Sequence, residues 1–241
     1  MVSAAMYAQT PRSFEVASVK VHTAPLTRMF NYSSSGRRVN LEAYNISMLV
    51  QDAYNIKPYQ MSFAPTVQQD PEIYYDIVAN APGPETPTKS EVREMLQSLL
   101  AERFHLKIRH DSKEMTVYAL VLGKGDAKFK ESAPDAVVHI HIGVNGRNQY
   151  FEATKCTMEN LVEGIRNAFG GDRPVLDRTG LTGKYDIRLE ATPEFRMQRD
   201  PQLTDIRVVE AVQDQLGLRM VTEKAPTDIL IVEHVERPTA N

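Results

Sequence analysis

Shifted against itself by 110 positions, the chain meets many of the same residues again. Gly36 and Arg37 fall on Gly146 and Arg147, Glu42 and Ala43 on Glu152 and Ala153, and Met48 on Met158. Tyr75, Asp76 and Ile77 fall on Tyr185, Asp186 and Ile187, Ala81 on Ala191, and Leu120 on Leu230. One spacing held over most of a chain predicts two copies of a single structural plan with few insertions. It constrains architecture strongly and chemistry weakly. In a chain of 241 residues each half is long enough to bury a modest core of its own.

The local patterns predict what each copy contains. Residues 14–20 alternate and are rich in strand formers, a polar Ser-rich loop covers 23–35, and 39–43 is a short strand. Ser47 caps a helix using Leu49, Val50, Ala53 and Tyr54, which ends at Asn55. A strand follows at 73–79. Thr88 and Glu91 have capping-box spacing, and Val92, Met95, Leu96, Leu99, Leu100 and Phe104 recur at helical intervals. Residues 106–109 and 115–122 read as a hairpin turning at His110-Asp111-Ser112-Lys113. The second copy repeats this. It has strands at 137–142 and 151–153, a helix capped by Thr157, a strand at 185–190, a helix from Asp205 to Gly217, and a hairpin of 218–222 with 228–234. The expected class is α+β, an internal duplication of a strand-strand-helix-strand-helix-strand-strand unit, with helices on mainly antiparallel sheet. The expected limits are 14–122 and 136–236 for the copies, 123–135 for the linker and 237–241 for a polar, loose tail. Residues 1–13 form a signal remnant or a disordered terminus.

Composition excludes several partners. A net charge of −3 provides no field for nucleic acid or an anionic membrane, and no apolar run is long enough to span a bilayer. A single cysteine, Cys156, rules out an internal disulfide and a cysteine-rich metal site.

Candidate chemistry is sparse. His139 and His141, two apart on a strand, share a face and suit two metal ligands with His110 or an acid as a third. Without a fixed third ligand they read better as an exposed edge strand. Cys156 aligns with apolar Ile46 and reads as a buried structural thiol. Asp76 and Asp186 hold equivalent places, each after a tyrosine; with Glu190 they are the carboxylates available for acid–base work. The structural reading gives such aspartates a turn or a basic neighbour to hold. The most distinctive segment runs from Val175 to Asp186, where Gly180 and Gly183 suggest two tight turns. It either presents Asp177, Arg178, Thr179 and Lys184 to a ligand or is simply a compact turn into the next strand. No phosphate loop, dinucleotide loop, zinc helix or serine elbow is present, so no cofactor is expected.

Five segments together resemble a known family. They are residues 14–20 (Phe-Glu-Val-Ala-Ser-Val-Lys), residues 75–79 (Tyr-Asp-Ile-Val-Ala), the run from Leu176 to Asp186, Gln215-Leu216-Gly217-Leu218, and residues 232–238 (Val-Glu-His-Val-Glu-Arg-Pro). The family is DUF3738, a soil-associated bacterial group of unknown function expanded in acidobacteria. Around Ser47 this chain is about two residues shorter than the family pattern. The resemblance implies an export signal, with Met1 to Ala8 as its remnant, and a periplasmic or secreted location. It carries no catalytic residue. At the level of fold alone, the plan is also similar to small periplasmic domains at the front of secretins and TonB-dependent receptors.

The expected function is an exported binding or interaction module, not an enzyme. Its partner is an envelope protein, peptide or glycan, held at the loop of Asp177 to Lys184 or at a seam between the copies. One alternative is a hydrolase of envelope or plant polymers using Asp76, Asp186 or Glu190. The other is a scaffold segment of a sensor or secretion assembly.

Overall fold

The computed structural model describes residues 12–25, 30–68, 70–170, 173–192 and 207–238. The expected signal remnant and the Asp205 start of the last helix lie outside these. Two compact units emerge, one of residues 1–111 with 228–241 and one of residues 112–227.

The first unit is built on an antiparallel sheet of β1 (Val16–Val21), β2 (Asn31–Ser35), β3 (Arg38–Tyr44) and β5 (Tyr75–Asn80), in the order β1-β5-β3-β2. β2 occupies part of the stretch expected as loop. In β5 the inward residues Tyr75, Ile77 and Ala79 alternate with outward ones, which fixes its register. Helices α1 (Ile46–Tyr54) and α2 (Lys89–Arg103) supply Leu49, Val50, Leu96 and Leu100 to the same core. α1 is capped by Asn45, not Ser47: the Asn45 side-chain Oδ1 accepts from the Met48 amide at 3.0 Å. Its end at Asn55, φ 51°, is left-handed as predicted. α2 carries the predicted Thr88–Glu91 capping box.

The second unit has an antiparallel sheet of β7 (Lys130–Glu131), β8 (His139–Asn145), β9 (Asn148–Cys156) and β11 (Tyr185–Ala191), in the order β7-β11-β9-β8. β7 comes from the stretch expected as linker. Helix α3 (Met158–Phe169), capped by Thr157 and Asn160, packs on it. Contact is close at Gly164, where a Cβ would overlap the Phe151 ring. Residues 207–216 are helical and end at Gly217.

Two predicted hairpins are absent. β6 (Lys107–Leu122) and β12 (Leu218–His234) each run unbroken, and the chain passes between the units inside them. A tight hairpin needs left-handed residues, and among the described residues none of positive φ falls within either strand. β12 contains Pro226, which lies outside the stretch Leu230–Val232 that pairs with β4 (Met61–Phe63). β10 (Val175–Asp177) lies parallel to Tyr118–Leu120 of β6. The architecture is α+β, with mainly antiparallel sheets.

Each unit contains a bulge where a strand turns into a helix. In β3 the pairing steps from Leu41 opposite Ile77 to Tyr44 opposite Tyr75, leaving Ala43 at φ 58°. In β9 it steps from Ala153 opposite Ile187 to Cys156 opposite Tyr185, leaving Lys155 at φ 54°. One extra residue on the bulged strand sharpens its bend. Cys156 therefore stands where Tyr44 does, not where Ile46 does. The 110-residue shift is two positions out of step through these strands.

Candidate functional site

The loop after β10 is held together by its own polar groups. Asp177 accepts from the Thr179 amide at 2.8 Å and from its hydroxyl at 2.7 Å. The Thr179 oxygen in turn accepts from the Leu181 amide at 3.2 Å, and Thr179 is buried. Gly180, at φ 72°, supplies the left-handed turn. Arg178 pairs with Glu223 at 3.2 Å. Lys184 is exposed, and its carbonyl accepts from the Ser132 amide at 2.8 Å. Asp177 and Thr179 thus have their hydrogen bonds inside the turn, and the structural reading of the segment accounts for both.

The carboxylates also have structural partners. Asp76 accepts from the Ala43 amide at 3.0 Å and bonds the buried His22 ring at 2.9 Å. It clamps the bulge of its unit. Asp186 accepts from the Ser132 hydroxyl at 2.6 Å, and the Ser132 oxygen accepts from the Lys155 amide at 2.9 Å. Glu190 accepts from Asn148 at 2.9 Å and from Arg188 at 3.2 Å. The Asn148 bond first, then the Arg188 bond, holds its carboxyl below the usual range. Asp186 and Glu190 lie four residues apart on one strand, about 13 Å at about 3.3 Å per residue. A glycosidase pair sits about 5–10 Å apart.

His139 and His141 stack along β8 with ring centroids 6.1 Å apart. Among the described residues, no three His, Cys, Asp or Glu side chains are grouped to hold a metal ion. Cys156 is fully buried, and burial pushes its thiol up to about 12. A thiol held neutral in this way is a poor nucleophile.

Sequence reading missed the hollow in the first unit. It measures about 300 Å³. Its floor is apolar: Ile46, Tyr75, Phe104 and Val235. Tyr75 and Phe104 meet edge to face at 5.2 Å, and burial raises the Tyr75 hydroxyl. Its rim is polar: Gln68, Asp70, Glu236 and Arg237. Arg237 donates to Asp70 at 2.6 Å, and the Glu236 amide donates to the Phe104 carbonyl at 2.7 Å. The start of the polar tail is thereby anchored. Glu236 lies 2.8 Å from His234 and 3.0 Å from His105, and the His234 bond first holds its carboxyl below its ordinary value. Asp70 and Arg237 are 167 positions apart, a pairing that no local pattern announces. The available signal was the closing Val235-Glu236-Arg237 run, a charged pair directly after a buried strand.

The elements and this hollow define an α+β protein with a small amphipathic recess in its first unit. Among the described residues, no helix is long and apolar enough to cross a membrane. The chain belongs to the family described as "Protein of unknown function (DUF3738)", whose model matches residues 47–235. No curated protein and no solved structure matches the chain.

Proposed function

We propose that this protein is an exported, non-catalytic binding module of the bacterial envelope, and that the hollow under Val235 to Arg237 receives its ligand. The observation that carries the reading is the pairing of an apolar floor with a rim of both signs. A volume of about 300 Å³ lies at the lower limit for small-molecule sites. It suits one side chain or one sugar ring, not a length of polymer. Two rim carboxylates, Asp70 and Glu236, stand against one arginine, so an anion is a poor guest. A peptide fits better, with an apolar side chain on Tyr75 and Phe104 and its amides on Gln68 and Arg237. The hydrogen bonds already made by Asp76, Asp186 and Glu190 support a non-catalytic role. Envelope placement rests on the family resemblance and on the small apolar run Met1 to Ala8. The internal doubling remains part of this proposal, supported by the similar bulges at Ala43 and Lys155.

A thermal-shift screen of envelope peptides and glycans tests it. A ligand at 100 times its Kd adds about 2.7 kcal/mol of stability. The shift should disappear in Arg237→Ala, whose side chain is exposed and dispensable for the core. An undiminished shift in that variant would move the site elsewhere. Turnover of a screened polymer, lost in folded Asp186→Asn, would establish a hydrolase instead.

A further inference from the structure

The edge of the second unit's sheet is unlike an ordinary sheet edge. β8 has β9 on one side and, in the order β7-β11-β9-β8, no strand among the described residues on the other. Its inward-facing row, Ile140, Ile142 and Val144, lies beside Ala153, Phe151 and Gln149 of β9. Yet these three residues are 47%, 42% and 69% exposed, and Val137 and Val138 before them are 81% and 62% exposed. Exposed edges are normally blunted by lysine, proline or a bulge. β8 contains no lysine or proline, and its pairing with β9 has no register break. In the first unit's sheet one edge strand, β2, reads Asn-Tyr-Ser-Ser-Ser and is polar, and the other, β1, carries Lys20.

The hairpin also fixes which backbone groups are free. β8 and β9 close on the pair Asn145–Asn148 across the two-residue turn at Gly146 and Arg147. Such a closing pair exchanges both backbone bonds, and bonded pairs then alternate along the strand. Residues 139, 141, 143 and 145 therefore bond to β9. Ile140, Ile142 and Val144 point their N–H and C=O groups outward.

We propose that β8 is the contact strand of a homodimer, in which a second copy of this chain lays its own β8 antiparallel along this free edge. Self-complementarity selects the second copy as occupant and sets the register. With Ile142 opposite Ile142 of the second copy, Ile140 faces Val144 and every pair in the exposed row is apolar. On the other face His141 meets Gly143 and His139 meets Asn145, so no histidine opposes a histidine. Charge agrees with this arrangement. Arg147 lies exposed in the turn at one end of β8, and Asp135 lies exposed just before the other end. Antiparallel pairing brings Arg147 of each copy toward Asp135 of the other; parallel pairing would set like charges together. The isologous contact closes on itself and uses the free edge of β8 in both copies.

Sedimentation of the full chain over a concentration series should show a reversible dimer. Ile142→Lys, which sets two ammonium groups against each other, should raise the dissociation constant about tenfold or more while the circular dichroism spectrum is retained. Register is tested independently by oxidation. Ile142→Cys should cross-link to itself, because opposed Cα atoms in a bonded pair are about 5.5 Å apart. Val144→Cys should not, since its opposite is Ile140; buried Cys156 gives no background. A monomer at every concentration overturns the proposal, as does a dimer that Ile142→Lys leaves intact. A monomer whose Ile140, Ile142 and Val144 amides resist hydrogen exchange also overturns it, since other residues of the same chain would then cover the edge. If Ile142→Lys fails to fold, the two cysteine variants decide.

Discussion

The bulges of the two units reach one geometry by different chemistry. In the first, Asp76 bonds the left-handed residue directly, its Oδ1 accepting from the Ala43 amide, and both its oxygens also meet Nδ1 of the buried His22 ring. In the second, Asp186 reaches the Lys155 amide only through the Ser132 hydroxyl. The aspartate and the left-handed residue occur in both; the intermediary does not. The chain keeps a satisfied amide at the bend and is indifferent to how many groups satisfy it. A carboxylate required in this way by the backbone is a poor candidate for proton transfer.

Removing each clamp should separate the two arrangements. Asp76→Ala leaves the Ala43 amide and the buried His22 ring without a partner, and should cost about 1–3 kcal/mol in chemical denaturation. Ser132→Ala removes one neutral intermediary and should cost about 1 kcal/mol. Equal losses would mean that the second clamp is as tight as the first.

Substituting the left-handed residues should act in the opposite direction. Ala43→Gly relieves a conformational cost of about 1 kcal/mol, partly offset by greater freedom in the unfolded chain, for a net gain of about 0.5 kcal/mol. Lys155→Gly should gain less, because it loses the 2.7 Å bond from its ammonium to the Pro134 carbonyl. Any loss of stability at Ala43 would show that its side chain matters more than its φ.

The smallest contrast is one of pH. The α2 cap uses Glu91, whose carboxyl is held down to about 2, first by the Thr88 amide and then by Arg12 and the Thr88 hydroxyl. The α3 cap uses Asn160, which does not titrate. A depressed carboxylate contributes fully above its ordinary value of 4.5, and that contribution is lost as pH falls toward about 2. Over that window, amide exchange at the start of α2 should quicken relative to the start of α3. Parallel changes at both ends would remove Glu91 as the cause.

The regular elements were legible because their signals are local. Met95, Leu96, Leu99 and Leu100 spell a buried helical stripe, and Thr88 with Glu91 marks where it begins. Asn45 and Ser47 are equally good capping residues by type, so the sequence alone does not choose between them; in the structure Asn45, directly after the bulge strand, caps α1. His110 to Lys113 have the polarity of a turn, but they lie within the unbroken strand β6. The Asp177 loop was visible as a turn because its glycines and its Asx geometry lie within a few residues. The hollow was not, because Asp70 and Arg237 meet only after the chain has returned through β12.

That return gives the chain an order of assembly. Leu230 and Val232 belong to the first unit's core, and they are made last. During synthesis the second unit, continuous from 112 to 227, is complete in sequence while the first still lacks its closing strand. A ribosome stalled shortly before Asp228 would hold a finished back portion beside a front portion with a gap in its interior. The N-terminal portion, though translated first, must wait for the C-terminal residues to finish it.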